Sequence, residues 1–210
     1  MGSGVLVVEH PVVQHRMARL RDAATQSAAF RQLVHELSYL VAYEALQDLA
    51  TGPTSVRTPI AEAECRTVSE TVLLVPVLRA GLGMVPAVQE LLPYTEVAHV
   101  GLRRDEETLR SEVYLDRLPQ DLGGRRVVVC DPMLATGGSL AQVCDLVVGK
   151  GAARVQALCL IASVPGIERF RASHPHVPVA CCAVDAELDP NGYIVPGLGD
   201  AGDRLFGPPG

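Results

Sequence analysis

Apolar residues Leu33, Val34, Leu37, Leu40, Val41 and Leu46 recur at helical spacing through residues 27–49, and Gly52 followed by Pro53 halts the run. That pattern predicts one long amphipathic helix. Beyond it the pattern changes. "TVLLVPVL" (71–78), "VAHVGL" (97–102), "RVVVC" (126–130), "VQALCLIAS" (155–163) and "VPVACCAV" (177–184) are short and almost continuously apolar, as strands buried on both faces are. Helices are predicted between them near 84–92, 139–148 and 165–172. Strand and helix then alternate, which gives an α/β fold with a mostly parallel central sheet flanked by helices. "RRDEETLRSEVYLDRLP" (103–119) breaks the rhythm: it is charged, weakly periodic and set between two core strands. It reads as an arm or lid. From residue 189 onward the chain is rich in Gly and Pro and reads as ordered loop or disorder.

Composition narrows the picture. With 210 residues and 48% hydrophobic content, one sizeable core is affordable, so residues 1–210 are expected to form a single domain. Eighteen basic against 24 acidic residues give a net charge of -6, which leaves no general footprint for nucleic acid or anionic lipid. Any anionic ligand must therefore be met by local groups. Lys150 is the only lysine and no G-x-x-x-x-G-K-[ST] surrounds it, which argues against a P-loop kinase. The six cysteines show no C-x-x-C spacing and read as buried reduced thiols, with Cys181 and Cys182 pointing to opposite faces of a strand. No apolar run approaches the roughly 20 residues of a membrane span and no charged segment leads a signal-peptide core. The expected location is cytoplasmic.

In open parallel sheets ligands sit beyond the carboxyl ends of the strands, so strand-to-helix junctions are where polar groups matter. In "VVVCDPMLATGGSLAQVCDLVV", Asp131 emerges at a strand end, and Thr136, Gly137, Gly138 and Ser139 lead into a helix. Such a turn suits a phosphate: glycines let N–H groups approach, hydroxyls donate and the helix dipole adds its positive end. Asp131 suits the vicinal hydroxyls of a ribose, which a carboxylate accepts in pairs. The plain alternative is a helix cap at Thr136 or Ser139 and a turn at Asp131. In "VPVLRAGLGM", Arg79 follows a buried strand on a glycine-loosened turn, a place for a diphosphate or simply a surface arginine beside a helix start. Arg103 and Arg104 offer a further cationic site on the arm, or simply a solvated surface. "GLGDAG" (197–202) spells G-x-G-x-x-G, but only "DRLFGPPG" follows. A dinucleotide fingerprint needs a preceding strand, a following helix and a later acid, and no helix of useful length is expected there.

Taken together, "HPVVQHRMARLRD", "LVAYEALQDL", "VPVLRAGLGM", "RRDEETL", "DPMLATGGS" and "NGYIVPGLGDAGDRLFG" resemble the uracil phosphoribosyltransferase family nearly end to end. The resemblance implies a type I phosphoribosyltransferase-like core, a C-terminal base-binding loop at about 189–207, and Mg²⁺-dependent transfer from 5-phospho-α-D-ribose 1-diphosphate to uracil, giving UMP. Carried over residue by residue, Arg79 and Arg104 would hold the diphosphate. Asp131, Pro132, Met133, Leu134, Ala135, Thr136, Gly137, Gly138 and Ser139 would hold the ribose and its 5′-phosphate. Ile194, Gly199, Asp200 and Ala201 would line the uracil site, with Asp200 also facing the donor. Asp131, Arg104 and Asp200 are then the catalytic candidates. "GLGDAG" becomes a turn whose small residues let the main chain reach the pyrimidine edge. Many superfamily members carry two acids where this chain has Cys130 then Asp131. Since Mg²⁺ wants hard oxygens, the metal is expected to ride mainly on substrate and water, with Asp200 as the candidate protein ligand. An RNA-binding pyrimidine regulator on the same fold, or a transferase for another base, are the alternatives. The resemblance leaves activation by GTP open, and a homodimer or higher assembly is expected.

Overall fold

The computed structural model describes residues 4–104 and 111–207. In chain order it runs β1 (Val5–Val7), α1 (Pro11–Arg21), α2 (Ser27–Ala45), β2 (Thr51–Arg57), β3 (Glu62–Val68), β4 (Val72–Leu78), a 3-10 turn (Ala80–Gly83), α3 (Val85–Leu91), β5 (Glu96–Val97), β6 (Val100–Arg104) and β7 (Ser111–Asp116). There follow β8 (Arg126–Cys130), β9 (Met133–Leu134), α4 (Gly138–Gly149), β10 (Arg154–Leu158), β11 (Ile161–Ser163), α5 (Val164–Ser173), β12 (Val179–Cys181), β13 (Ala183–Asp185), β14 (Glu187–Leu188), β15 (Ile194–Val195) and α6 (Ala201–Phe206).

The main sheet has the order β1-β12-β10-β8-β4-β6-β7, with β5 also on β4. It is parallel except for β7, which pairs antiparallel with β6. Alternation along each strand divides the core between two faces. Val72, Leu74, Val128, Cys130 and Leu158 pack under α1, α2 and α3. Leu73, Val75, Val127, Val129 and Ala157 pack under α4 and α5. Cys181 and Cys182 fall on opposite faces, as strand geometry requires. All six thiols are free; five are buried, and Cys65 is exposed on β3, which corrects the expectation that all would be buried.

Several boundaries differ from those the pattern gave. The long helix stops at Ala45, not near Leu49, and Gly52 and Pro53 lie inside β2 instead of ending a helix. The apolar runs 155–163 and 177–184 each split into a sheet strand and a short second strand. Those second strands, β11 and β13, join β9 in a small parallel sheet beyond the carboxyl ends of the main one. The charged segment 103–119 contributes an edge hairpin: β6 and β7 are paired from Val100 with Asp116 to Arg104 with Ser111. Its polar character is that of an edge strand with solvent on one side. Its residues 105–110, and the side chain of Arg104, lie outside what the structure describes. Among the described residues no helix is long and apolar enough to cross a membrane.

Candidate active site

The chain leaves β4 toward α3 on one face of the sheet and leaves β8 toward α4 on the other. The gap between these adjacent strands is thus a topological switch point, where open α/β sheets bind ligands. A cleft of about 670 Å³ opens there. Arg79 comes from the end of β4, Asp131 from the end of β8, Ser139 from the first turn of α4, and Ile194, Asp200 and Gly202 from the C-terminal segment. A cleft of similar size, about 720 Å³, lies at the opposite, amino end of the strands around Arg126 and Arg154. There the arginines are held by Asp48 and Glu70, and the strands meet it with their amino ends, away from the carboxyl ends where such sheets bind ligands.

The loop 131–139 is built from the sheet outward. Its Met133 and Leu134 form β9 and pair in register with Ile161 and Ala162. Gly137 then turns the chain with φ +79°, and a Cβ there would lie 2.8 Å from the Gly166 carbonyl oxygen, so only glycine fits. Gly137 is itself the N-cap of α4, with no side-chain cap bond. The reading of Thr136 or Ser139 as a simple cap is therefore set aside, and the first turn of α4 presents its N-terminus to the cleft. Behind the loop, the Ser163 hydroxyl donates to the Ala135 carbonyl at 2.6 Å and accepts the Gly166 N–H at 2.9 Å, capping α5 and pinning the loop with one oxygen.

Asp131 accepts the Met133 N–H at 3.3 Å. Burial pushes its carboxyl up to about 7, and that hydrogen bond only partly opposes the shift. With that single long bond to hold its charge, the carboxyl has room for further donors, which a pair of ribose hydroxyls would supply. Burial, and after it the Asp131 charge, push the neighbouring Cys130 thiol up to about 12. Cys130 therefore stays protonated and offers no ligand to a hard cation. Among the described residues no cluster of three His, Cys, Asp or Glu side chains could hold a metal. The carboxylates on the cleft wall are Asp131 and Asp200.

Arg79 projects into the cleft and its Nη2 donates to Asp203 Oδ1 at 3.1 Å, both side chains being over 40% exposed (47% and 41%). The pair ties the arginine loosely to α6.

The C-terminal segment is a folded element. β14 and β15 form a small hairpin whose turn is organised by Asp189, which accepts the N–H groups of Asn191 and Tyr193 at 2.9 and 2.8 Å. Gly197 and Gly199 then adopt φ +59° and +78°, and Asp200 caps α6 by accepting the Asp203 N–H at 2.9 Å. As the sequence reading expected, no helix of useful length follows "GLGDAG": α6 has only six residues and starts inside the motif. The strand before it, β15, has two residues and pairs antiparallel, so the dinucleotide reading stays excluded.

Of the residues singled out in the sequence, Arg79, Asp131, Met133, Ala135, Ser139, Ile194 and Asp200 line one cleft. Gly199 instead lines a neighbouring groove with Arg21 and Arg204. The Ala201 methyl is buried in the core, 1% exposed, beside Leu198 and Leu205. Its small size serves packing beneath the loop, so any contact of Gly199 or Ala201 with a base is made by the main chain. The sequence reading did not pick out Arg21, Ser163, Asp185 or Asp203. For Asp185 a signal existed, since it is a carboxylate at the carboxyl end of an apolar run. Burial alone would raise it, but Arg21 and the Gly197 N–H hold Asp185 below the usual carboxylate range.

Residues 7–208 match the model of the family described as Uracil phosphoribosyltransferase. A curated Symbiobacterium thermophilum protein named uracil phosphoribosyltransferase is 48% identical over 206 residues, covering 98% of this chain and 99% of its own. A solved protein from Aquifex aeolicus superposes with a TM-score of 0.91 at 35% identity, covering 97% of this chain and 98% of the other. In fold alone, the adenine phosphoribosyltransferase of Thermoanaerobacter pseudethanolicus is similar, with a TM-score of 0.52 at 15% identity over 75% of this chain and 84% of its own.

Proposed function

The chain belongs to the uracil phosphoribosyltransferase family, and from that premise we propose that the cleft between β4 and β8 is its active site. The protein is a pentosyltransferase of type I phosphoribosyltransferase fold. It transfers the phosphoribosyl group of 5-phospho-α-D-ribose 1-diphosphate to N1 of uracil, giving UMP and diphosphate in pyrimidine salvage. One observation carries the assignment of the cleft: Arg79, Asp131, Ser139, Ile194 and Asp200, drawn from separate stretches of the chain, line a single cavity.

In this reading the loop 131–139 and the α4 N-terminus take the 5′-phosphate through main-chain N–H groups. Asp131 accepts the two ribose hydroxyls and fixes the sugar. Arg79, with Arg104 carried on the edge hairpin, takes the diphosphate as it leaves. The main chain around 199–201 reads uracil, whose O2, N3–H and O4 present acceptor, donor and acceptor. Cytosine would set a buried donor against its amino group, a mismatch of about 1–3 kcal/mol. With uracil N1 held against C1, displacement proceeds with inversion through an oxocarbenium-like state, and positioning supplies much of the rate. No covalent nucleophile takes part.

Phosphoribosyltransferases generally take their donor with Mg²⁺, which when bound spreads the charge of the leaving diphosphate. The donor set fits such a shared ion better than a caged one, because Asp131 and Asp200 are the only carboxylates among the described cleft residues and the neighbouring thiol is protonated. We assign Asp200 as the protein ligand. Six free thiols support a reducing, cytoplasmic location. The β2–β3 hairpin supports the expected homodimer: both strands are largely exposed, and a two-stranded hairpin needs a surface to lie on. Light scattering gives the mass. GTP stays outside the proposal, since no described residue argues for it.

The deciding test is a panel of bases with labelled donor and Mg²⁺. Uracil is expected to give UMP, while cytosine, adenine and hypoxanthine give little nucleotide. Turnover of a purine at the uracil rate would overturn the base assignment.

A further inference from the structure

We infer that Arg21 and Asp185 act together as positioning residues for base recognition, clamping from outside the cleft the main chain that reads uracil. The inference rests on the assignment of the 189–207 segment to the base. Arg21 is the last residue of α1, and its guanidinium donates to both oxygens of Asp185 at 2.7 and 2.7 Å. The same Nη1 donates to the Gly197 carbonyl at 2.9 Å, and Asp185 Oδ2 accepts the Gly197 N–H at 2.8 Å. One ion pair, formed across 164 positions of chain, thus holds both main-chain polar groups of a single residue. The Asp185 side chain is 7% exposed and that of Arg21 25%, so the clamp is shielded from competing water.

Its place gives it a function. At Gly197 the loop folds back over Ile194: a Cβ there would lie 2.0 Å from the Ile194 carbonyl oxygen, and Ile194 is a wall of the cleft. The next carbonyl, of Leu198, accepts from Arg204 Nη1 at 2.9 Å, and that nitrogen also donates to the Leu20 carbonyl at 2.7 Å. The main chain entering Gly199 and Asp200 is therefore set against the end of α1 and not by a strand ladder of its own. A planar ring read by main-chain donors and acceptors is sensitive to their placement, since about 1 Å of error costs on the order of a hundredfold. Neither Arg21 nor Asp185 lines the cleft, so both act through the loop.

The test uses the full chain. Arg21→Lys keeps the charge but loses the fork that spans Asp185 and Gly197. It is expected to raise the KM for uracil at least tenfold and to narrow the preference for uracil over cytosine, while the KM for the donor stays within about threefold. In Arg21→Ala, millimolar guanidinium ion is expected to restore the uracil KM, which a variant damaged only in stability would not show. Gly202→Val serves as the reference, because its added side chain would enter the cleft between Asp200 and Arg79. If Gly202→Val raises the uracil KM and Arg21→Lys does not, the clamp is overturned and the base site stands. If Gly202→Val leaves uracil untouched, the base assignment falls and the clamp with it. If Arg21→Lys weakens donor and uracil equally, or only lowers the melting temperature, the pair is a structural brace and the inference is wrong.

Discussion

Asp131→Asn should make the ligand-free protein more stable while removing most of its activity, and the two effects share one cause. Burial moves the Asp131 carboxyl from an ordinary 3.8 to about 7, so the folded state binds its proton more tightly than the unfolded chain does. Between those two values the folded state holds more protons, and stability falls as pH rises through the window. The shift sets a ceiling of about 4 kcal/mol at 1.36 kcal/mol per unit. Asp131 is only half-buried, and water screens its charge, so about 1–2 kcal/mol is the expected cost at pH 8. Asparagine removes the charge and keeps an oxygen for the Met133 N–H. At about 2–4 °C per kcal/mol for a chain of this size, the variant should melt about 2–8 °C above the parent at pH 8. Near pH 4 the two should coincide, because the parent carboxyl is then neutral. Thermal melts without ligand at both pH values test this. Initial rates with uracil and donor should fall at least about a hundredfold, or 2.7 kcal/mol, because an amide holds ribose hydroxyls less well than a carboxylate. A variant that melts at or below the parent at pH 8, or that turns over within about threefold of it, would refute the reasoning.

Three further substitutions probe the site. Gly137→Ala places a Cβ 2.8 Å from the Gly166 carbonyl at φ +79°; a loss of about 1–3 kcal/mol and weaker donor binding are expected, measured by thermal melts and calorimetry. Asp203→Asn releases Arg79 from an exposed ion pair worth about 0–1 kcal/mol, so donor affinity should tighten by no more than about fivefold, with the gain lost at high salt; weaker donor binding would mean Asp203 itself helps to orient Arg79. Ala201→Leu overpacks the core beside Leu198 and Leu205 and should cost about 1–3 kcal/mol, read as a lower melting temperature with the donor site unaffected; an unchanged melting temperature together with lost uracil binding would place the side chain in the base site after all.

Where periodicity reports burial, the sequence alone determined the outcome. The apolar runs at 72–78 and 126–130 could be satisfied only by layers on both faces, and the alternation of strand and helix then left few topologies beyond a parallel sheet. Asp131 was legible because a polar residue directly after such a run must emerge at the strand's carboxyl end, and the glycines before α4 carry their backbone requirement in the sequence itself. The β2–β3 hairpin was not legible: with almost no buried side of its own, it leaves no period to read. Tertiary structure decided the rest. Whether Ala201 faces a ligand or the core depends on how a six-residue helix lies against α2 and the 3-10 turn, which no local pattern specifies. That Arg21 meets Asp185 across 164 positions, and that Arg79 meets Asp203 across 124, follows only once the sheet has brought those ends together. A charge in sequence is free to pair with any opposite charge within reach, and closing the chain into one topology is what selects its partner.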